Sequence, residues 1–227
     1  MNRLRATSLV LVIVVCGILA SGVADARKDK KTVYEVTITN ITLWQIISPP
    51  IVISHKKNFK LFVLGNTEYP ATDGLAALAE DADTAALIGE LEASRSVYSY
   101  AEADDVILPG ASRTVRIETK KGYDLLSVAG MLVTTNDTFF AVRGVKARSK
   151  GDMAMDARAY DAGSEFNSEV CDYIPGPPCG NGGQRDTEDA EGYVYISSGI
   201  HGIGDLNPAK FDWRNPVATI MVKKVKK

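Results

Sequence analysis

The sequence predicts an all-β protein, an antiparallel β-sandwich with one or two short inserted helices. Short segments rich in Val, Ile, Thr and aromatic residues recur along the chain, as is typical of strands. Gly, Pro, Asn and Asp separate these segments, and the sequence lacks the long helical patterns of a βαβ series. Strands are expected at 33–40, 61–64, 114–118, 125–135, 139–142, 193–197 and 217–225.

The first of these segments shows the strand pattern most clearly. In 33–40 (VYEVTITN), Tyr34, Val36 and Ile38 occupy every second position. Successive side chains of a strand point to opposite faces, so we expect these three to face the core.

Helical spacing interrupts the strand pattern once. Between 73 and 91, Leu75 and Leu78 are three positions apart, and Leu87 and Leu91 are four apart. Asp73 stands where a capping side chain would begin a helix. This stretch predicts one or two short helices inserted between strands.

The composition excludes several classes of protein. Of 227 residues, 45% are hydrophobic and 24% charged, which is ordinary for a globular domain. The 26 Lys and Arg are balanced by 28 Asp and Glu, giving a formal charge of −2. Without an overall excess of positive charge, nucleic acid is not an expected partner.

The N-terminus has the three parts of a secretory signal. Arg3 and Arg5 form a basic region, 9–20 is an apolar run, and Ala-Asp-Ala at 24–26 offers a cleavage site. The apolar run is shorter than the roughly 20 residues of a membrane-spanning helix. A retained anchor and lipidation at Cys16 are the alternatives.

Cleavage near Ala26 divides the chain into three parts: a signal peptide (1–26), a charged lead-in (27–32) and a single domain (33–227). The protein is therefore expected to be secreted, either extracellular or periplasmic. Cleavage would also remove Cys16, leaving Cys171 and Cys179, which should form a disulfide in an oxidising compartment. Metal binding by the two thiols is the competing interpretation.

The segment 151–191 departs from the rest of the composition. It contains ten acidic residues and two basic ones, with many Gly and Pro and no apolar periodicity. We expect an irregular acidic loop, and a long loop of this kind is uncommon unless it is functional or held in place. The disulfide would hold part of it, and a bound cation could hold more.

Seven short segments together resemble a spondin-type domain, in the standalone secreted version without thrombospondin repeats. Each is weak alone, but their order is specific, and the resemblance runs from about residue 33 to 225, which is nearly all of the mature chain. They are YEVTITN (34–40), SPPIVISH (48–55), LAED (78–81), MLVTTND (131–137), YDAGSE (160–165), IPGP (174–177) and DWRNPVA (212–218).

The resemblance implies an antiparallel β-sandwich resembling C2 domains, with Ca²⁺ held by loops at one end. Matched residue by residue, the family's acidic ligands fall on Asp137, Asp161 and Glu165. Glu165 stands where the animal sequences have Asp, so the third ligand has a longer side chain here.

The residue types themselves agree with a calcium site. Ca²⁺ takes six to eight hard oxygen ligands from carboxylates, carbonyls and water. Gly163 would allow a tight turn between Asp161 and Glu165, and Asn136 and Asn167 could complete the shell. A solvated acidic loop without an ion is the alternative.

An enzymatic interpretation is weaker. Asp161 and Glu165 could serve a hydrolase as paired carboxylates. Ser197 and Ser198 lie near His201, but the sequence contains no Gly-x-Ser-x-Gly motif. A structural role for His201 is therefore expected.

The sequence thus predicts a secreted, calcium-binding, non-catalytic binding or adhesion module at the cell surface or in an extracellular matrix. An extracellular or cell-envelope protein, a glycan or an anionic lipid are the candidate partners, and a secreted hydrolase is the alternative function. Two Asn-x-Thr sequons, at Asn40 and Asn136, leave glycosylation open.

Overall fold

The structure, a computed structural model, describes residues 30–148 and 150–225. Within these ranges there are nine strands, three α-helices and one 3₁₀ turn, Cys171–Tyr173. The strands are β1 Thr32–Asn40, β2 Ile51–His55, β3 Val97–Glu102, β4 Ser112–Thr119, β5 Leu125–Met131, β6 Thr138–Lys146, β7 Met153–Asp161, β8 Tyr195–Ile196 and β9 Ala218–Lys224. The helices are α1 Asp73–Asp81, α2 Ala85–Ala93 and α3 Pro208–Phe211.

The strands form one continuous antiparallel sheet that folds over into two layers. The pairing order is β3-β2-β5-β6-β7-β9-β1-β4, and β8 adds to β7. The two ends of this path approach each other, because the Ser99 hydroxyl of β3 donates to the Glu118 carbonyl of β4. The sheet is therefore nearly closed, and the predicted all-β sandwich class is confirmed.

Strand β7 joins the two layers. Residues 153–157 pair with β9, and residues 158–161 pair with β6. β7 therefore crosses from one layer to the other and ends at Asp161.

The main core lies between the layers. Tyr34, Val36 and Ile38 of β1 are buried, as the alternation predicted, and belong to the same apolar cluster as Val128 of β5 and Phe140 of β6. Burial of large side chains of this kind contributes about 1.5–3 kcal/mol each.

A second core lies between the sheet and the helices α1 and α2. Ile51 and Ile53 of β2 face Leu75 and Leu78 of α1 in this cluster, whereas Val52 faces the main core. Because both faces of β2 are covered, its sequence is continuously apolar rather than alternating. The predicted helical insertion is therefore confirmed.

The start of α1 differs from the prediction in one detail. Thr72, not Asp73, is the N-cap, and its hydroxyl accepts a hydrogen bond from the Leu75 N–H at 3.3 Å. Asp73 is the first helical residue, where its charge favours the positive end of the helix dipole.

Three strand predictions need correction. Residues 61–64 form no strand, and Leu61 and Phe62 are apolar because they pack in the core beneath the helices. The prediction at 125–135 was too long, since β5 ends at Met131, and the one at 193–197 reduces to the two residues of β8.

The prediction of an irregular segment at 151–191 was wrong for its first part. β7 occupies 153–161, where the buried positions are small or flexible residues such as Ala157, Ala159 and Met153 rather than β-branched ones. β3 was also missed; five of its six residues are only half-buried, and the sixth is exposed.

Cys171 and Cys179 form the predicted disulfide, with Cα atoms 4.9 Å apart. It closes the chain segment that follows the acidic end of β7. No helix among the described residues is long and apolar enough to cross a membrane. The predicted signal peptide, 1–26, lies outside the described residues.

Replacing both cysteines, Cys171→Ser with Cys179→Ser, should lower the free energy of unfolding by about 2–3 kcal/mol, because the small loop regains chain entropy in the unfolded state. Urea unfolding of the two proteins without reductant measures the difference. Equal free energies, or two alkylatable thiols in the native wild-type protein, would contradict a stabilising bridge.

Candidate functional site

Two of the three predicted ligands meet at one end of the sandwich. Asp137 precedes β6 and Asp161 ends β7, and the β6–β7 register pairs Thr138 with Asp161. Both side chains are fully buried, with exposed fractions of 0% and 1%. Their backbones are adjacent as well, because the N–H of Ala162, the residue after Asp161, donates to the Asp137 carbonyl at 3.1 Å.

A tight turn after β7 wraps around this pair. Asp137 Oδ2 accepts hydrogen bonds from the backbone N–H groups of Ser164, at 2.8 Å, and Glu165, at 3.0 Å. Asp161 Oδ1 accepts one from Gly163 at 2.9 Å. Gly163 has a φ of +66°, and a Cβ at this position would collide with the Tyr193 backbone. The turn therefore depends on glycine at 163, as the sequence indicated.

Asn167, which the sequence analysis singled out, lies on this side of the site with Tyr195 and Glu191, which it did not single out. The Asn167 amide donates to Asp161 Oδ2, at 2.8 Å, and to the Tyr195 hydroxyl, at 2.9 Å. The Tyr195 hydroxyl in turn donates to Glu191 Oε1 at 3.0 Å. Glu191 was one of ten acids in its segment, and nothing in a single sequence distinguishes it from the others.

Glu165 is placed differently from the other two predicted ligands. Its backbone bonds to Asp137, but its carboxylate accepts from the Asp186 N–H at 3.0 Å. The charges of Glu80 and Asp81, at the end of α1, act on this carboxylate. The structure therefore brings Asp137 and Asp161 together as a pair, with Glu165 adjacent.

A single arginine compensates the acids on the Glu165 side. Arg185 Nε lies 2.7 Å from Glu80 Oε2, and its terminal nitrogen lies 3.0 Å from Asp81 Oδ2. Among the described residues, none of the ion pairs includes Asp137, Asp161 or Glu165.

Burial raises the pKa of all three carboxyl groups. Burial, together with the charge of Glu191, raises the pKa of Asp137 to about 6. Burial and the charge of Asp137 raise the pKa of Asp161 well above its usual value. Burial and the charges of Glu80, Asp137 and Asp81 raise the pKa of Glu165 to about 8. Burial and nearby negative charge both disfavour the ionised forms.

The donor chemistry of this cluster fits calcium. Asp137 Oδ1, Glu165 Oε2 and Glu191 Oε2 are buried without a hydrogen-bond partner, and each is a hard oxygen that Ca²⁺ prefers. Within 30–148 and 150–225, however, no three His, Cys, Asp or Glu side chains form a ready cage for a metal ion. The cluster therefore fits Ca²⁺ in the type of its donor atoms and in its uncompensated negative charge. Both features are centred on the Asp137–Asp161 pair.

Asn136, which was expected to complete a calcium shell, makes a structural hydrogen bond in the fold. Its Oδ1 accepts a hydrogen bond from the Glu169 N–H at 3.2 Å, and its side-chain nitrogen is buried without a partner. Asn40, the other sequon asparagine, is fully buried and donates to the carbonyls of Gln45, at 2.7 Å, and Ile107, at 2.9 Å. The folded protein therefore presents neither asparagine to a modifying enzyme.

The region of His201 has the geometry of a structural loop. The carboxylate of Glu169 is buried and accepts the backbone N–H groups of His201, Gly202 and Ile203. The imidazole is exposed, and its Nε2 lies 3.0 Å from Ser198 Oγ. Because Glu169 is engaged by the backbone, it does not orient the His201 ring as the acid of a catalytic triad would.

No known protein-family model and no curated protein matches this chain. The functional conclusion therefore rests on the residues of the site itself.

With calcium removed by a chelator, the stability of the protein should depend on the ionisation of Glu165. Its folded pKa lies above its unfolded value, so its contribution is full below about pH 4.5 and is lost as the pH rises through about 8. A glutamine at this position cannot ionise, so the Glu165→Gln variant should have a higher free energy of unfolding than wild type. The difference between the two proteins should grow from pH 5 to pH 8, and it should reach on the order of 2 kcal/mol.

The matched control is Glu188→Gln, at an exposed position in the same acidic segment. His55 is also buried, and its lowered pKa makes stability rise with pH, which is the opposite of the effect of Glu165. Because wild type and both variants contain His55, its contribution cancels in the comparison. Urea unfolding at four pH values measures the margin. A margin that does not change with pH would contradict the raised pKa.

Proposed function

We propose that this protein is a secreted, calcium-stabilised, non-catalytic binding module of the spondin type, acting at the cell surface or in an extracellular matrix. The observation that carries the proposal is the buried Asp137–Asp161 pair at the end of the β-sandwich, which has no ion-pair partner within 30–148 and 150–225.

Electrostatics favours a metal ion at this pair. Two adjacent carboxylates in a buried site repel each other and lose hydration, so they either bind protons or need positive charge nearby. Arg185 compensates Glu80 and Asp81 instead. A calcium ion, when bound, would supply two positive charges, and Asp137, Asp161 and adjacent carbonyls would hold it.

The secreted location is supported by two independent features. The sequence begins with the parts of a secretory signal. The chain also contains the Cys171–Cys179 disulfide, and such bridges persist chiefly in oxidising compartments.

The binding role is supported by a surface at the same end, here called the apolar tip: Ile41, Leu43, Trp44 and Leu108. These side chains are 44%, 74%, 51% and 53% exposed. The loop after β1 adjoins the loop before Asp137, since the Val133 N–H donates to the Ile46 carbonyl at 3.0 Å. Exposed apolar groups that cluster near an ion site are typical of surfaces that contact a partner.

A hydrolase using Asp161 and Glu165 receives less support. Both side chains are buried, at 1% and 0% exposure, and both accept backbone hydrogen bonds. Paired catalytic carboxylates must flank a bond of the substrate. Among the described residues, neither lines any of three surface grooves, which lie at Tyr34, His201 and Phe59.

Calcium should raise the melting temperature of the wild-type protein by mass action, since it binds the folded state. Asp161→Asn should lose most of this increment, because one of the paired charges is removed. Asp156→Asn, on the exposed face of the same strand, should keep it. Differential scanning calorimetry with calcium and with chelator measures both, and a wild-type curve indifferent to calcium would contradict the site.

Retention of the purified mature protein on isolated cell-surface or matrix material should depend on the apolar tip. Leu43→Ser with Trp44→Ser should reduce retention at least several-fold, whereas the control Leu64→Ser, at an exposed site outside the tip, should not. Sedimentation with the material, in calcium and in chelator, measures this.

A broad hydrolase screen on the same preparation separates the two candidate functions. No turnover is expected. Turnover that Glu165→Gln abolishes while the fold is preserved would establish the hydrolase instead.

A further inference from the structure

The end of the sandwich opposite the acidic site is strongly basic. The start of β1 lies beside the end of β4, since Thr32 pairs with Thr119, and the start of β5 lies beside the end of β6, since Leu125 pairs with Lys146. The β4–β5 and β6–β7 connections therefore meet at this end. Their lysines and arginine are far apart in sequence but adjacent in space.

These connections enclose an open groove of about 810 Å³, here called the basic groove. Its floor includes Tyr34, Val145 and Met153. Asp124 is the one acidic residue among the described residues that line it. The basic residues of its walls are Lys30, Lys120, Lys121, Lys146, Arg148 and Lys150.

Most of these cations are not neutralised by the protein itself. Lys146 Nζ lies 3.6 Å from Asp124 Oδ2. Within the described part of the chain, the other five basic wall residues form no ion pair. Like charges gathered in a concave surface raise the local concentration of anions and accelerate their association.

Two tyrosines hold one of these lysines at the rim. The rings of Tyr98 and Tyr123 have centroids 5.8 Å apart, and Lys120 Nζ lies 4.6 and 4.9 Å from the two centroids. Cation–π contacts of this kind restrict the lysine side chain. Part of the charge of the groove is therefore positioned before any ligand binds.

We propose that the basic groove binds a sulfated polysaccharide chain. Several cations along an extended groove match a polymer that carries repeated negative charges, whereas a single small anion would use only a few of them. The proposal rests on the secreted location proposed above, where such polymers occur, but it does not require calcium.

The groove suits a polymer better than a membrane. None of the large exposed apolar side chains of the described residues lines it, and interfacial binding draws on buried apolar area in addition to charge. The apolar tip, which does have such side chains, lies at the acidic end.

Heparin is the test probe, with fully desulfated heparin, vesicles containing 30% phosphatidylserine, and duplex DNA as competitors. Wild-type protein should bind heparin with an affinity that falls steeply with salt, because binding releases counterions. Lys121→Gln with Arg148→Gln and Lys150→Gln should weaken binding at 0.15 M salt by about tenfold or more, with a shallower salt dependence.

The matched control removes the same charge from the acidic end: Arg113→Gln with Lys210→Gln and Arg214→Gln. It should bind heparin like wild type. Equal losses in the two triple variants, undiminished binding in the groove variant, or tighter binding to desulfated heparin, vesicles or DNA would each overturn the proposal. Melting temperatures of both triple variants that equal that of wild type would show that a loss of heparin binding does not come from misfolding.

Measuring the calcium-dependent melting shift on the same proteins separates this inference from the proposed function. If heparin binding fails while the shift remains, only the groove proposal is wrong. If the shift fails while groove-dependent heparin binding remains, only the calcium-stabilised module is wrong.

Discussion

The pairing of β7 with two different strands is the constraint on which the rest of the structure depends. Its first half bonds to β9 and its second half to β6, so it ties the two layers together. The same pairing delivers Asp161 to the position opposite Thr138, beside Asp137. A slip of one residue would turn Asp161 to the other face of the sheet and separate the two carboxyl groups.

The buried acids of the site lower the stability of the folded protein, because their carboxyl groups lose hydration. Backbone N–H groups of the turn after β7 offset part of their desolvation, since Ser164 and Glu165 donate to Asp137 and Gly163 donates to Asp161. The raised pKa of Asp137 indicates that this compensation is incomplete. Conflicts of this kind are expected where a protein binds something.

The formal charge of the chain is only −2, but its acidic and basic residues are concentrated at opposite ends of the molecule. Antiparallel strands bring alternate connections to opposite ends, and here acids collect in the segment after β7 while lysines collect around the β4–β5 and β6–β7 connections. Such a molecule presents different chemistry at its two ends. We therefore propose an ion and an apolar contact at one end and a polyanion at the other.

The sequence by itself determined the features that depend on local patterns. These are the all-β class, the inward face of β1, the helical insertion, the disulfide once Cys16 is set aside, and the need for glycine at 163. Strands without β-branched alternation, such as β7, were missed because tertiary pairing overrode weak propensity.

The sequence motifs pointed to Asp137, Asp161 and Glu165 together, but only the tertiary structure decided how these acids are arranged. Asp137 and Asp161 come together because β6 and β7 pair, Glu165 turns toward Asp186, and Glu191 joins through Tyr195. Likewise, the basic groove combines lysines from connections that no sequence window contains. Contacts between residues distant in sequence follow from strand register and layer packing, which are set by the whole fold.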